Sequence, residues 1–251
     1  MDDIQILSPS YKRHDRCFTH QILPSLKYVV CESQAEEYEK RGLPLLVCPD
    51  SAQGNISRIR NWILDNMQTE KLLMIDDDMK YIGIWKGNKH KKLNSEETED
   101  FIRSGFQLAE EFDVKYWGIN IIADKGAYRE YTPFSLRSVI LGPFGGFFRD
   151  FEPRCEERLA LKEDYDLSIQ ALNKYRKILR INFAHYVCKQ HTNIGGCATY
   201  RTIEKEMHLN KLLEQKWGSK IVKTDAGNRK NQKRETTFDI NPIIKIPIGG
   251  V

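Results

Sequence analysis

The sequence predicts an α/β fold in which helices flank a Rossmann-like, mostly parallel central sheet. Short, almost continuously apolar segments alternate along the chain with longer segments whose apolar residues recur at helical spacing. Apolar strands that alternate with helices are typical of a parallel sheet covered on both faces. The chain has 251 residues, of which 40% are hydrophobic and 29% are charged, and this suits one globular domain of that kind.

The N-terminal third supplies most of the evidence for this fold. We expect strands at residues 4–7, 27–31, 45–48 and 72–75, and helices at 32–41 and 57–67. Gly42 ends the first helix, and Trp62 and Ile63 lie on the apolar face of the second. The order strand, helix, strand, helix, strand places the carboxyl ends of the strands at one edge, where ligands of such sheets bind.

The second half is less regular. We expect a helix at 95–111, capped by Asn94 or Ser95, and another at 167–175. Strands are expected at 116–122, 138–141 and 177–183, with a glycine-bearing turn or strand at 145–148. There is no internal repeat, so we predict one domain, 1–251. It would comprise a nucleotide-binding half (1–80), an acceptor and catalytic half with a small acceptor-side subregion (81–215), and a basic C-terminal extension (216–251).

Several features favour a cytoplasmic protein, or one in the host cytoplasm if a phage encodes it. No apolar run is long enough to cross a bilayer, which excludes a membrane partner on this evidence. The first residues lack the basic and then apolar order of a secretory signal. The six cysteines are scattered without a CxxC pair, so we expect free thiols.

The distribution of positive charge is more informative than the net charge of +4. Basic residues gather in two segments, 86–92 and 216–234, which we expect to be loops. The residues concerned include Lys86, Lys89, Lys91, Lys92, Arg229, Lys230, Lys233 and Arg234. Such clusters suit a polyanionic partner, because neutralised phosphates release condensed counterions. The alternative is two solvated surface loops.

Three consecutive aspartates, Asp76, Asp77 and Asp78, directly follow the buried strand at 72–75. Like charges this close raise one another's pKa, and a divalent cation relieves the repulsion. Carboxylate oxygens suit Mg²⁺ or Mn²⁺, which take their remaining ligands from water and substrate phosphates. The pattern therefore predicts a nucleotide diphosphate site, and the alternative is a solvated acidic turn. Neither a GxxxxGK[ST] loop nor a GxGxxG motif is present to hold the phosphates.

The order of motifs along the chain is distinctive. Ser8-Pro9-Ser10 comes first, followed by the segment from Gly54 to Trp62, the aspartates, the segment from Phe144 to Arg149, Lys162 to Asp166, and finally His185 and His191. This order resembles that of GT-A fold glycosyltransferases over residues 1–200. Within that class it resembles the phage-type DNA glycosyltransferases associated with TET/JBP hydroxylases, relatives of the base J glucosyltransferase.

The resemblance implies a UDP-sugar donor and roles for the residues that would hold it. Asp78 would bind Mn²⁺ or Mg²⁺ between the donor phosphates, and Asp76 would face the nucleotide and contribute to the metal site. Arg60 and Asn61 match an Arg-Asn pair that steadies the nucleotide. The remaining residues expected to contact the donor are Ser8, Arg58, Asp77, Gly145 and Gly146. The alternative for Arg58 and Arg60 is solvation on one helix face.

Glu163 and Asp164 occupy the place of the family's catalytic carboxylates. An inverting enzyme needs a base for the acceptor hydroxyl, and we assign this role to Asp164 first and Glu163 second. The alternative is that both are first-turn acids stabilised by the helix dipole. Inversion and retention both remain open.

Two histidines are candidates for a further metal ligand. His191, in a polar loop, is the preferred one, and His185 is expected to be structural. A different grouping would place His185, Cys188, His191 and Cys197 around zinc.

Gly145 and Gly146 could let substrate approach the backbone, and the phenylalanines at 144, 147 and 148 could stack on a base or simply belong to the core. We expect transfer to a hydroxyl, most of all that of a 5-hydroxymethylated pyrimidine in DNA, whose base must leave the duplex to react. The alternatives are transfer to a polysaccharide, lipid or protein, and a non-catalytic nucleic-acid-binding or nucleotide-binding module.

Overall fold

A ten-stranded sheet forms the centre of the fold. The computed structural model describes residues 3–142, 144–188, 197, 200–223 and 241–246. The strands are β1 (Ile4–Pro9), β2 (Lys27–Cys31), β3 (Leu45–Cys48), β4 (Lys71–Ile75), β5 (Met79–Lys86), β6 (Lys89–Lys92), β7 (Tyr116–Asn120), β8 (Phe134–Ser135), β9 (Phe144–Phe148), β10 (Leu179–Cys188), β11 (Val222–Lys223) and β12 (Ile243–Ile244). The helices are α1 (Glu32–Glu39), α2 (Ile56–Asp65), α3 (Ser95–Glu111), α4 (Glu163–Tyr175) and α5 (Ile203–Trp217).

The strand order is β3-β2-β1-β4-β9-β7-β10-β5-β6, with β8 paired to β10 and β11 paired to β12 in a separate small sheet. Parallel pairing joins β1 to β2 and β4, β2 to β3, and β7 to β10. β9 is antiparallel to both of its neighbours, β4 and β7. The six strands β3, β2, β1, β4, β7 and β10 therefore run in one direction. The predicted α/β class with a mainly parallel sheet is confirmed, and the carboxyl ends of these strands share one edge.

Apolar clusters cover both faces of the sheet, as continuous apolar strands require. On one face, Tyr38 of α1 and Ile102 and Phe106 of α3 pack with the strands. On the other face, α2 contributes Ile63 and α4 contributes Leu172. Asn94 caps α3 in a capping box with Glu97, as predicted. No helix in the described ranges is both long and apolar enough to cross a bilayer.

The first basic segment is a hairpin and not the loop that the sequence analysis expected. β5 and β6 pair antiparallel, with Trp85 opposite His90 and Lys86 opposite Lys89. Gly87, which has a φ of +59°, lies in the two-residue turn between them. All four residues of β6 are exposed, so this strand carries no apolar alternation by which the sequence could predict it.

The strand predicted at 138–141 was wrong. Its backbone groups bond to side chains of α4 in place of a neighbouring strand. Ile140 donates its N–H to Ser168 Oγ (3.0 Å), which in turn donates to the carbonyl of Ile140 (2.9 Å). These bonds satisfy the main chain of the buried Ile140 and leave the segment outside the sheet.

Helix α5 was not predicted. Its buried face contains Leu209 and Leu213, but also Glu206 and Asn210. Polar residues at core-facing positions interrupt the apolar stripe from which an amphipathic helix is recognised. Glu206 is compensated by Lys162, whose Nζ lies 2.6 Å from Glu206 Oε2.

The two glycines of the Phe144–Phe148 segment lie within strand β9. Gly146 adjoins the fully buried indole of Trp117, and a Cβ at Gly146 would lie 2.0 Å from Trp117 Nε1. Phe144 and Phe147 are buried in the clusters on opposite faces of the sheet. Gly146 therefore lets a large aromatic side chain pack directly against the strand backbone.

We expect Gly146→Ala to destabilise the fold by about 1–3 kcal/mol, because the new methyl group overpacks the Trp117 site. Urea unfolding would measure the change. Gly126→Ala is the matched control, since its added Cβ would meet only the Asp124 side chain, at 3.2 Å. Equal stability of the two variants would contradict this explanation of Gly146.

Candidate active site

The three aspartates after β4 lie at the carboxyl edge of the sheet in a turn held by Thr19. Thr19 Oγ1 donates to the carbonyl of Asp76 (2.7 Å) and accepts from the N–H of Met79 (2.9 Å). Asp77 and Asp78 are buried, whereas the Asp76 side chain is 36% exposed. The turn therefore leaves Asp76 as its accessible carboxyl group, and Asp76 lines a small cleft.

Asp77 is directed at the segment that follows β1. Ser10 Oγ donates to Asp77 Oδ2 (2.5 Å), and Arg13 Nη1 donates to Asp77 Oδ1 (2.9 Å). Burial raises the pKa of Asp77, and the contacts with Arg13 and Ser10 oppose that rise. The expected contact of Asp77 with the nucleotide stays a prediction, because this carboxylate is engaged by protein groups.

Arg13 adds positive charge beside the second metal-ligand candidate. Its Nη1 lies 3.6 Å from Asp78 Oδ2, and the Cys188 thiol also hydrogen-bonds to Asp78. Burial lowers the pKa of Arg13, but the aspartates, Asp77 first and then Asp78 and Asp76, together outweigh this effect, and the pKa is raised overall. Arg13 follows β1 in the sequence, and nothing there identifies it as a site residue, because its partners Asp77 and Asp78 lie more than sixty residues away along the chain.

Arg60 of α2 connects the aspartate turn to the start of α4. Its Nη1 lies 2.7 Å from Glu163 Oε1 and its Nη2 lies 3.7 Å from Asp76 Oδ1. The Arg60 side chain is only 12% exposed, so simple solvation of this helix face does not describe it.

Arg58, by contrast, faces the surface. It pairs with Glu157 (Nη2 to Oε2, 2.8 Å) and donates from Nη1 to the carbonyl of Gln53 (3.0 Å). Its contact with a nucleotide stays a prediction.

The charged groups around Arg60 have shifted pKa values. Burial raises the pKa of Glu163 to about 8, although Arg60 opposes the rise. The surrounding protein likewise excludes water from the partly exposed carboxyl group of Asp76 and raises its pKa to about 7, with Arg60 opposing and Asp78 adding to the rise. Burial is the largest cause of the rise for both carboxyl groups, and strongly shifted carboxyl groups are common at functional sites.

Asp164 lines a small cleft with Arg60, Asp76, Gly142 and Gly145. Gly142 donates its N–H to Asp164 Oδ2 (2.8 Å), which fixes one carboxylate oxygen. Glu163 is turned toward Arg60 and is not among the residues that line the cleft. Of the two candidate bases, Asp164 is therefore the one that faces the cleft together with Asp76.

The other residues expected to contact the donor occupy different settings. Asn61 forms a double hydrogen bond with the backbone of Cys155, accepting from its N–H (2.8 Å) and donating to its carbonyl (2.9 Å). Ser8 is fully buried, and its Oγ has no hydrogen-bond partner among the described residues. Gly145 lines the cleft, whereas Gly146 packs on Trp117. Their contacts with a nucleotide stay predictions.

His191, the preferred histidine ligand, lies outside the described residues. His185 is buried on β10, where its Nε2 lies 2.8 Å from Nε2 of His90 and their rings stack. Burial, and then the nearby His90, lower the pKa of His185. In the alternative zinc grouping, the Cys188 thiol forms a hydrogen bond with Asp78, and Cys197 Sγ accepts a hydrogen bond from the Tyr200 hydroxyl (3.1 Å). The described members of that grouping therefore have separate partners.

The donor set fits a divalent cation that also binds substrate. Within the described ranges, no three His, Cys, Asp or Glu side chains are grouped closely enough to hold a metal alone. Asp76 and Asp78 nevertheless offer hard oxygen ligands at one turn. Mg²⁺ is commonly held by one or two carboxylates, with phosphates and water completing its shell. The residues present are therefore compatible with Mg²⁺ or Mn²⁺.

The raised pKa of Glu163 makes stability depend on pH. The folded state keeps the Glu163 proton up to about pH 8, whereas an unfolded glutamate loses it near its ordinary pKa of about 4.3. Between these values the folded state binds more protons, so stability falls as pH rises. We expect Glu163→Gln to make the free energy of unfolding fall less steeply with rising pH, by up to about 1.4 kcal/mol per pH unit.

Chemical unfolding of both proteins between pH 5 and pH 8 would measure this effect. Glu157→Gln is the control, because it removes an exposed carboxylate paired with Arg58. Parallel curves for wild type and Glu163→Gln would contradict the assigned shift.

Solved structures with a similar fold include glycosyltransferases. Glucosyl-3-phosphoglycerate synthase from Mycobacterium tuberculosis, in complex with Mg²⁺ and UDP, has a TM-score of 0.51 and 11% identity, covering 84% of this chain and 78% of that chain. The same enzyme in complex with Mn²⁺ and UDP-glucose has a TM-score of 0.51 and 10% identity, with the same coverage of both chains. TarS from S. aureus gives 0.49 and 14%, covering 87% of this chain and 73% of that chain. At identities this low, the similarity to the two synthase structures shows a common fold and no more, and that fold is of the GT-A type.

Sequence comparisons identify the family. A search of curated proteins returned no match. The profile of the TET-associated glycosyltransferases, however, matches residues 4–196, a range that contains the aspartate turn, Arg60 and Asp164. The predicted enzyme class is confirmed, since the chain belongs to the TET-associated glycosyltransferase family.

Proposed function

We propose that this enzyme transfers a sugar from a UDP-sugar to the hydroxyl of a 5-hydroxymethylated pyrimidine in DNA. One observation carries the proposal: Asp76, supported by Arg60, and Asp164 line the same cleft at the carboxyl edge of the sheet. A group that holds a nucleotide diphosphate and a group that takes a proton are thus neighbours. Membership of the family supports the DNA acceptor.

On the donor side, we assign the metal to Asp78 and Asp76, with His191 as a further ligand. When bound, Mn²⁺ or Mg²⁺ supplies charge neutralisation for a departing diphosphate. Arg60 helps to orient Asp76 through the contact between its Nη2 and Asp76 Oδ1. Arg13 forms an ion pair with Asp77 and approaches Asp78. The similar synthase was crystallised with Mg²⁺ and UDP and with Mn²⁺ and UDP-glucose, which supports the choice of donor and metal.

On the acceptor side, we assign the base to Asp164. The bond from Gly142 fixes this carboxylate at the cleft, where it can take the proton of an acceptor hydroxyl. Glu163 is the weaker candidate, because its oxygen is held by Arg60. We assign it the role of orienting Arg60.

Two further expectations remain proposals. The division into a nucleotide-binding half (1–80), an acceptor and catalytic half (81–215) and a C-terminal extension (216–251) is one of them. The other is DNA binding by the basic residues. Lys86, Lys89, Lys91 and Lys92 lie on the β5–β6 hairpin, where Lys91 also pairs with Glu97 (2.5 Å). Arg229, Lys230, Lys233 and Arg234 lie outside the described residues.

We expect Asp78→Asn to reduce sugar transfer by roughly 100-fold or more, because a metal contributes several kcal/mol of charge stabilisation. The assay is incorporation of label from UDP-glucose, UDP-galactose or UDP-N-acetylglucosamine into hydroxymethylcytosine DNA. Asp15→Asn, a change at an exposed aspartate in the segment that follows β1, is the control. Undiminished transfer in excess chelator would refute the metal assignment, and label entering only polysaccharide, lipid or protein would refute the acceptor.

We expect Lys86→Glu with Lys89→Glu to weaken DNA binding and to flatten its salt dependence, by up to about 0.9 in slope for each phosphate that the variant no longer neutralises. Binding to a labelled duplex across a range of salt concentrations measures the slope. The control pairs Lys27→Glu with Arg41→Glu, which makes the same charge change at exposed positions near the amino end of β2. Equal slopes for the two double variants would place the DNA elsewhere.

A further inference from the structure

Two large apolar side chains are exposed immediately after β7. Ile121 is 42% exposed and Ile122 is 48% exposed. Single exposed apolar residues are common on protein surfaces, but adjacent ones beside a ligand cleft call for a partner. β7 runs in the same direction as β4, so this pair lies at the sheet edge that carries the aspartate turn.

The isoleucine pair is held in place on both sides. The buried side chain of Asn120 accepts from the N–H of Ile122 (3.2 Å). On the other side, Trp85 Nε1 donates to the carbonyl of Ala123 (3.1 Å). These anchors fix the backbone at both ends of the pair, so the exposure of the two side chains is a built feature of the surface.

The pair adjoins the proposed catalytic base. A Cβ at Gly142 would lie 4.0 Å from Ile121 Cγ2, and the N–H of Gly142 bonds to Asp164 Oδ2 (2.8 Å). A single glycine therefore separates the apolar pair from the carboxylate that would receive the acceptor proton. Ile121 therefore lies next to the glycine whose N–H holds Asp164.

Positive charge flanks the isoleucine pair. Trp85, which anchors Ala123, is followed directly by Lys86, and Lys86 pairs with Lys89 across the hairpin. Both lysines are exposed. An apolar projection beside paired lysines complements a DNA duplex, which offers phosphates outside and stacked bases inside.

We propose that Ile121 and Ile122 form a wedge that enters the duplex beside the acceptor nucleotide and fills the space left when its base turns into the cleft. This inference rests on the proposed function, since it takes DNA to be the acceptor. A base inside a duplex cannot bring its hydroxymethyl group to Asp164 unless it leaves the stack. Apolar side chains inserted between base steps compensate for part of the lost stacking. Lys86 and Lys89 hold the adjacent backbone.

The test compares paired and unpaired acceptors. Hydroxymethylcytosine is placed in one oligonucleotide, used as a single strand, in a matched duplex, and in a duplex opposite an abasic site. We expect Ile121→Ala with Ile122→Ala to reduce transfer to the matched duplex by about tenfold or more. Transfer to the single strand and hydrolysis of the UDP-sugar without acceptor should stay within about twofold of wild type, since neither requires unstacking.

Three further variants and one optical readout complete the experiment. Ile121→Leu with Ile122→Leu should retain duplex transfer, because it keeps the apolar volume. Val47→Ala removes an equally exposed apolar side chain (42%) on β3, at the other end of the sheet, and should have no effect. Ile122→Ala alone serves if the double variant fails to fold. Fluorescence of 2-aminopurine beside the acceptor base should rise on binding wild type and not on binding the double alanine variant.

The outcomes separate the wedge from the function on which it rests. An equal loss on single strand and matched duplex, or no loss on either, would overturn the wedge while leaving DNA glycosylation intact. Hydrolysis of the UDP-sugar by wild type without transfer to any of the three DNA acceptors would overturn the proposed acceptor itself.

Discussion

The buried guanidinium of Arg60 is the interaction on which the site depends. It lies between Glu163 and Asp76 and thereby joins helix α2, the end of strand β4 and the start of helix α4. Charges removed from water need compensation, and losing one partner of such a group leaves the others costly to keep ionised. Without Arg60, Asp76 and Glu163 would lose the cation that opposes the rise of their pKa values, so both would shift further toward the protonated form. One side chain therefore joins the turn that carries Asp76 to the helix that begins at Glu163 and carries Asp164.

The sheet was largely predictable from sequence because its strands are buried on both faces and consist of apolar runs. The same physics explains the failures. Strand β6 is exposed along its whole length, and helix α5 turns Glu206 and Asn210 inward, so neither has an apolar pattern. The segment 138–141 is mostly apolar and its Ile140 is buried, yet Ser168 of α4 satisfies the backbone of Ile140. A sequence pattern records burial, and it does not record which group supplies the hydrogen bonds.

The site was predictable where chemistry is concentrated in adjacent residues. The aspartate turn and the Glu163-Asp164 pair stand out because acids next to apolar segments are unusual. The sequence could not rank Arg58 against Arg60 as a donor-binding residue, since both are basic and lie on the same helix. Two positions along a helix correspond to a rotation of about 200°, so one of these side chains faces the surface and the other faces the core. Arg13 and Gly142 were missed because their roles come from contacts with distant residues.

The reversed direction of β9 has a consequence for how this enzyme can change. β7 ends and β9 begins at the same edge, so the chain between them, residues 121–143, leaves from and returns to the side that carries the cleft. In an all-parallel arrangement the connection would have to cross to the opposite edge, and its length would be constrained by that crossing. Here the second part of the connection is fixed, because β8 pairs with β10 and Gly142 bonds to Asp164, but the mostly exposed stretch 121–132 can change in length or composition while the strands keep their register. The surface beside the cleft can therefore vary without moving the strand that ends at Asp76 or the helix that carries Asp164.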